Sequence, residues 1–298
     1  MPSKPRSSAF FAKVPRDAAA PVVFDSPHSG FSFPADFAPV ASPAEIQTTW
    51  DAYVDELCAH VTEAGAALLA ARFPRAYIDA NRAVNDIDSG MLDTPWPLPT
   101  ALSEHGARGM GLIRRFALPG VPMYSRRLTV AEVSSRIDDF YLPYRRALQE
   151  MIEAAWQRHG VVWHFNCHSM KSRSHAMNRD QGAPRPDFVI GDRGGTTAPP
   201  PVTAWVADFF ASRGYRVTIN DPYRGADIVR THGDPARRKY SIQVEINRAL
   251  YLHESSYERN AGFAQVCNEL TDLAHAAAEH ARETPRRKIA RSAARHDR

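Results

Sequence analysis

Short β-branched and apolar runs alternate with amphipathic stretches of helical length along most of this chain, and few architectures accommodate that alternation. Strand-like runs fall at 21–25, 67–73, 76–80, 161–167, 187–190, 215–219 and 241–247. Between them, residues 42–64 read as one helix. Ser42 suits the N-cap, Pro43 the first helical position, and Glu45 completes a capping box. Ile46, Trp50, Val54, Leu57 and Val61 then form a single apolar stripe, ended by Gly65. A second long helix is expected over 129–159, from a Thr129/Glu132 capping box to Gly160, with others over 202–213 and 261–280. Strands alternating with helices of this length predict an α/β sandwich on a largely parallel sheet, which binds ligands at the carboxyl ends of its strands. The Gly- and Pro-rich residues 85–125 read as long loops over that scaffold.

A length of 298 residues suits one large domain or two small ones. The sequence pI near 9.0 invites a nucleic-acid partner, but the basic excess is confined to the ends. Residues 281–298 carry seven Lys/Arg against two acids and residues 1–20 four against one, leaving a mildly acidic body. The expectation is a single domain over 21–280 between two basic tails, a small-molecule partner and no nucleic acid. No apolar run is long enough to cross a membrane, and the N-terminal segment lacks a signal-peptide core. Three scattered cysteines argue against a disulfide framework and for a reducing compartment, with the cytoplasm as the expected location.

Several strand ends finish in reactive residues. His28 follows the first strand in Ser26-Pro27-His28-Ser29-Gly30. In 161–168, alternation sets His164, Asn166 and His168 on one face and Val161, Trp163, Phe165 and Cys167 on the other. In 241–247, Ser241, Gln243, Glu245 and Asn247 share one face. A polar strand face in the core needs a partner, and a wet cleft holding a metal is one candidate. On the residues alone, hydrogen-bonded structural roles for these side chains stand equally open, and no short zinc signature is present.

Taken in order, further segments narrow the reading. They are SPHSG (26–30), WDAYVDEL (50–57), RAYIDANR (75–82), ARGMGLIRR (107–115) and RIDDFYLPYRRAL (136–148). NCHSM (166–170), DFVIGDRGG (187–195), NDPYRG (220–225) and QVEINRALY (243–251) complete the series. In this order and spacing the chain resembles the N-formylglutamate amidohydrolase family from about residue 20 to 255. The resemblance implies an α/β three-layer sandwich around a mixed, largely parallel sheet, like that of the zinc carboxypeptidases. It implies one Zn2+ held by His28, Asp51 and His168, with Asp55 as the fallback ligand, and a fourth position left for water. Glu245 is then the general base and Arg75 an oxyanion donor. Asn81 and Arg82 grip a substrate carboxylate, Asp79 orients Arg82, and Arg230 contacts a side-chain carboxylate. The implied reaction is hydrolysis of N-formyl-L-glutamate, as in histidine breakdown. The alternatives are a deacylase or carboxypeptidase-like hydrolase for another N-acyl amino acid, and a non-catalytic binding protein on this scaffold. Two residues depart from the family pattern: Asn166 stands where Asp is usual, and Arg145 where His is usual.

Overall fold

The computed structural model describes residues 9–15, 20–174 and 182–283. Seven strands form one sheet: β1 (Phe10–Lys13), β2 (Val22–Ser26), β3 (Ala67–Ala71), β4 (Val162–Met170), β5 (Phe188–Gly191), β6 (Val217–Ile219) and β7 (Lys239–Asn247). Their order across the sheet is β1-β3-β2-β4-β7-β5-β6. The four central strands β3, β2, β4 and β7 are parallel. β5 turns antiparallel to β7 and carries β6 with it, and β1 closes the other edge antiparallel to β3. The sheet is therefore mixed and mostly parallel, as expected.

Helices cover both faces, because alternate residues of each buried strand feed opposite cores. Val22, Phe24, Trp163, Phe165, Ile242 and Val244 pack against α2 (Val54–Leu57), α5 (Pro200–Ala211) and α7 (Phe263–Glu283). Val23, Leu69 and Val162 face α3 (Val130–Arg136) and α4 (Leu142–His159). Shorter helices include α1 (Pro43–Gln47) and α6 (Asp227–His232).

Four expectations need correction. Residues 10–13, expected in the basic tail, are an edge strand paired with β3, so the sheet reaches beyond the expected domain start. The far parts of both tails, 1–8 and 284–298, lie outside the described residues. Residues 42–64 are not one helix. The Ser42 capping box is present, but Ile46 packs into one core while Val54, Leu57 and Val61 pack into the other. The chain must therefore cross from one face of the sheet to the other between α1 and α2, and no straight helix does that.

Residues 76–80 are buried yet form turns, opened by the Tyr77 N–H donating to the Pro74 carbonyl, 2.9 Å. The 129–159 helix does run through, but with a wider π turn over Ile137–Tyr141. Pro143 has no N–H for the Asp139 carbonyl, and the Leu142 N–H reaches back to Ile137 instead.

Candidate active site

The crossing between α1 and α2 passes over the carboxyl end of β2, and its backbone fixes the site. The Trp50 indole N–H donates to the Ser29 carbonyl at 2.6 Å, and the Asp51 N–H to the His28 carbonyl at 3.1 Å. Tyr53 takes a left-handed conformation, φ 61°, to re-enter the helical path. Gly30 lets the His28 loop lie against the chain leaving β3, since a Cβ there would stand 2.4 Å from the Arg72 carbonyl carbon.

His28, Asp51 and His168 converge as a buried group able to hold a metal ion. His28 Nδ1 and His168 Nδ1 are 3.0 Å apart. Asp51 Oδ2 lies 3.0 Å from His168 Nδ1 and 3.4 Å from His28 Nδ1. Donors held at about 2.0–2.1 Å by a tetrahedral zinc stand roughly 3.3 Å from one another, so this triangle fits such an ion.

The outer nitrogens are committed elsewhere, which aims the inner ones. Asp79 Oδ1 accepts from His28 Nε2 at 2.6 Å, and Asn166 Oδ1 from His168 Nε2 at 2.8 Å. With those protons outside, both Nδ1 lone pairs point at the carboxylate and at each other, a repulsive arrangement that a cation relieves. Burial works to raise the Asp51 pKa. An imidazole proton turned inward from His168 or His28 in place of the cation, with the charge of Arg75, outweighs it and holds the carboxyl well below its ordinary value.

Glu245 lies on β7 directly opposite His168 on β4, with Gln243 Nε2 donating to its Oε1 at 2.8 Å. Burial is the largest influence on it and pushes its pKa up, assisted by Asp51 and opposed by His168 and Arg75. Arg75 stands over the same end of the sheet. Its Nη2 donates to Asp79 Oδ2 at 2.8 Å, and its Nη1 is 3.9 Å from Asp51 Oδ1. Asp79 is thus shared by His28 and Arg75; it does not hydrogen-bond the Arg82 side chain expected to be its partner.

Asn81 is buried with its amide engaged: Oδ1 accepts from the Ile228 N–H at 2.8 Å, and Nδ2 donates to Asn166 Oδ1 at 3.3 Å. Arg82 donates to the Met110 and Asn81 carbonyls, at 2.8 and 3.1 Å. Arg230 lies outside this cluster, largely exposed and paired with Asp227 at 2.6 Å. Asp55, the fallback ligand, is not part of the triad; it sits one turn on, in α2, against Ser29.

Two groups beside the triad escaped the sequence reading. Arg248, just past β7, donates to Asp51 Oδ1 at 3.2 Å and to Ser169 Oγ at 3.0 Å, steadying the face of Asp51 turned away from the histidines. Its only sequence signal was a cation at a strand end. Asp25, fully buried in β2, accepts from Asn166 Nδ2, His164 Nε2 and the Tyr144 hydroxyl, at 2.8, 2.8 and 2.6 Å. That network explains the first departure. An amide at 166 donates to Asp25 and accepts from His168, whereas a second carboxylate would face the first. Arg145, the other departure, pairs with Asp227 at 2.9 Å and serves α6, away from the triad.

The family model for N-formylglutamate amidohydrolase matches residues 20–252, which span the triad, Glu245 and every strand but β1. The chain belongs to the N-formylglutamate amidohydrolase family. It is 28% identical over 238 residues to an N-formylglutamate deformylase of Pseudomonas aeruginosa, covering 79% of this chain and 84% of that one. A second N-formylglutamate deformylase, from Pseudomonas putida, is 24% identical over 239 residues, 79% of this chain and 83% of its own. Among solved structures, the N-formylglutamate amidohydrolase of Ralstonia eutropha superposes with a TM-score of 0.89 at 44% identity, covering 93% of this chain and 99% of that one. A gene product of Agrobacterium tumefaciens shares the fold, with a TM-score of 0.63 at 18% identity over 93% of this chain and 97% of that one. The chain has no helix among its described residues long and apolar enough to cross a membrane.

Proposed function

We propose that the protein hydrolyses N-formyl-L-glutamate to formate and L-glutamate in the cytoplasm, as a step in histidine breakdown, with Zn2+ held by His28, Asp51 and His168. The observation that carries the metal is the triangle of two Nδ1 atoms and one carboxylate oxygen, 3.0–3.4 Å on a side, with both outer nitrogens committed. Family membership and the names of the relatives support the substrate.

A divalent ion held by His28, Asp51 and His168 would supply Lewis acidity, of the kind that lowers the pKa of water to about 7. The chain's own groups do the rest. Glu245 takes the proton of the attacking water and returns it to the departing amine, a double duty that suits a carboxyl whose pKa burial raises. Arg75 donates to the oxyanion, its guanidinium held in place by Asp79. Arg82 and Asn81 are assigned to a substrate carboxylate, Asn81 also bracing Asn166 behind His168, and Arg230 to the outer end of the side-chain carboxylate. One water is consumed, the formyl C–N bond breaks, and formate and the free amine leave.

The test is formate release by the purified protein from N-formyl-L-glutamate, alongside its metal content. Stoichiometric zinc and turnover that chelation abolishes and zinc restores are expected. A protein carrying metal but releasing no formate overturns the substrate. Turnover that chelation leaves untouched overturns the metal role.

A further inference from the structure

The turn Met110–Arg114 is pinned on several sides. The Leu112 carbonyl accepts from the Asp79 N–H at 2.9 Å, and the Leu112 N–H donates to the Asp86 carbonyl at 2.8 Å. Met110 and Arg114 bridge each other, Leu112 is wholly buried, and the Met110 carbonyl receives Arg82 Nε. The two arginines that close this segment then diverge. Arg115 is exposed, paired with Asp88 at 3.2 Å. Arg114 is only 7% exposed, and its buried Nε has no hydrogen-bond partner.

Among the described residues, no carboxylate or carbonyl is bonded to the Arg114 guanidinium. The other arginines beside the triad each hold a partner: Arg75 on Asp79, Arg82 on two carbonyls and Arg248 on Asp51. Burial first, and then the like charges of Arg75 and Arg82, push the Arg114 pKa down to about 9, against a smaller opposing pull from Asp79 and Asp51. The charges that bear on Arg114 are therefore those of the site itself. A buried cation beside two others, lacking an anion of its own, is matched by an incoming anion, and a planar guanidinium matches a carboxylate best.

We infer that Arg114 binds one of the two carboxylates of an N-acyl dicarboxylic amino acid and so sets the preference for a doubly charged substrate. This rests on the amidohydrolase reading and deepens it, since Arg82 can serve only one of the two anionic ends and Arg230, largely exposed and paired with Asp227, reaches at most the outer end of the other. The shared chemistry is a carboxylate, and the assay must say whether it is the α-carboxylate or the side-chain one.

The experiment measures kcat/KM of wild type, Arg114→Gln and Arg114→Lys on three substrates: N-formylglutamate, N-formylglutamine, which lacks the side-chain carboxylate, and N-formylisoglutamine, which lacks the α-carboxylate. Arg114→Gln should lose about 100-fold or more on N-formylglutamate. It should lose far less on one of the two amides, and that amide identifies the carboxylate held. Arg114→Lys, which keeps the charge without the fork, should recover only part of the loss. Equal losses on all three substrates, or no loss on N-formylglutamate, overturn the inference. If the wild type releases no formate, the substrate reading fails by itself, and calorimetry with glutarate still tests Arg114. Weaker glutarate binding by Arg114→Gln supports the anion site, and wild-type binding no tighter than the variant's overturns it.

Discussion

His168 and Glu245 face each other across adjacent parallel strands, paired in register on β4 and β7, so a metal-ligand candidate and the proposed base share one face of the sheet. Neither depends on a mobile loop for its position. Strand register places the base beside the metal group, while the loop leaving β2 brings in His28 and the crossing between α1 and α2 brings in Asp51.

That division of labour separates two variants. His168→Ala removes one corner of the donor triangle and should lose both bound metal and formate release. Glu245→Gln keeps the triangle and the strand but cannot take a proton. It should retain stoichiometric metal while kcat falls about 10²–10⁴-fold. Metal analysis and turnover on the same preparations check the pair, and a Glu245→Gln enzyme of undiminished kcat refutes the assigned base.

Asn166 tests the hydrogen-bond logic behind His168. Asn166→Asp, although it restores the residue the family pattern carries, would set a second carboxylate against Asp25, where the amide now donates at 2.8 Å. Two buried carboxylates at that separation must share a proton or repel. The variant's carboxyl pair should therefore titrate at a raised pKa, its stabilising proton being lost as pH rises. The expected loss is about 3 kcal/mol at pH 8, shrinking towards pH 5, read by denaturant unfolding at both values. Equal stability of variant and parent at pH 8 would mean that the pair is not closed in solution.

Asp55 gives a pH dependence that can be signed in advance. Burial, with Glu56 adjacent, pushes its carboxyl up to about 6. The folded protein therefore binds this proton more tightly than the unfolded chain. The contribution to stability is full below the ordinary carboxyl value near 3.8 and disappears as pH rises through about 6. Asp55→Asn removes an ionised buried group at neutral pH and should gain on the order of 1–3 kcal/mol at pH 7.5 but almost nothing at pH 4. Thermal melts at the two values decide it, a gain independent of pH being the contrary result. Metal content should be unchanged, because Asp55 is outside the triad.

Gly30 carries a purely steric prediction. Its added Cβ would meet the Arg72 carbonyl carbon at 2.4 Å and the Ala71 carbonyl oxygen at 2.6 Å, main-chain atoms that cannot rotate aside. Gly30→Ala should cost about 1–3 kcal/mol and, by displacing the His28 loop, weaken metal affinity. A variant with wild-type stability and metal affinity would show that this loop tolerates the shift.

What the sequence determined by itself was largely local or carried by ordered motifs. Strand alternation in 161–168 and 241–247 put His168 and Glu245 on polar faces, the Ser42 and Thr129 capping boxes started helices where expected, and the motif order indicated His28, Asp51 and His168 together. Tertiary structure decided the rest. The apolar stripe from Ile46 to Val61 has helical spacing, yet it splits between two cores, because periodicity records only that residues are buried and not against which layer. Asp51 owes its place to that split. Asp79 turned to His28 and Arg75, Asn81 to Asn166 and Ile228, and Arg114 was buried with its Nε unpartnered, since side-chain pairing is settled by groups far apart in the chain. The physical reason is range: caps and alternation are decided within a few residues, whereas the meeting of donors around one point is decided by how the layers close.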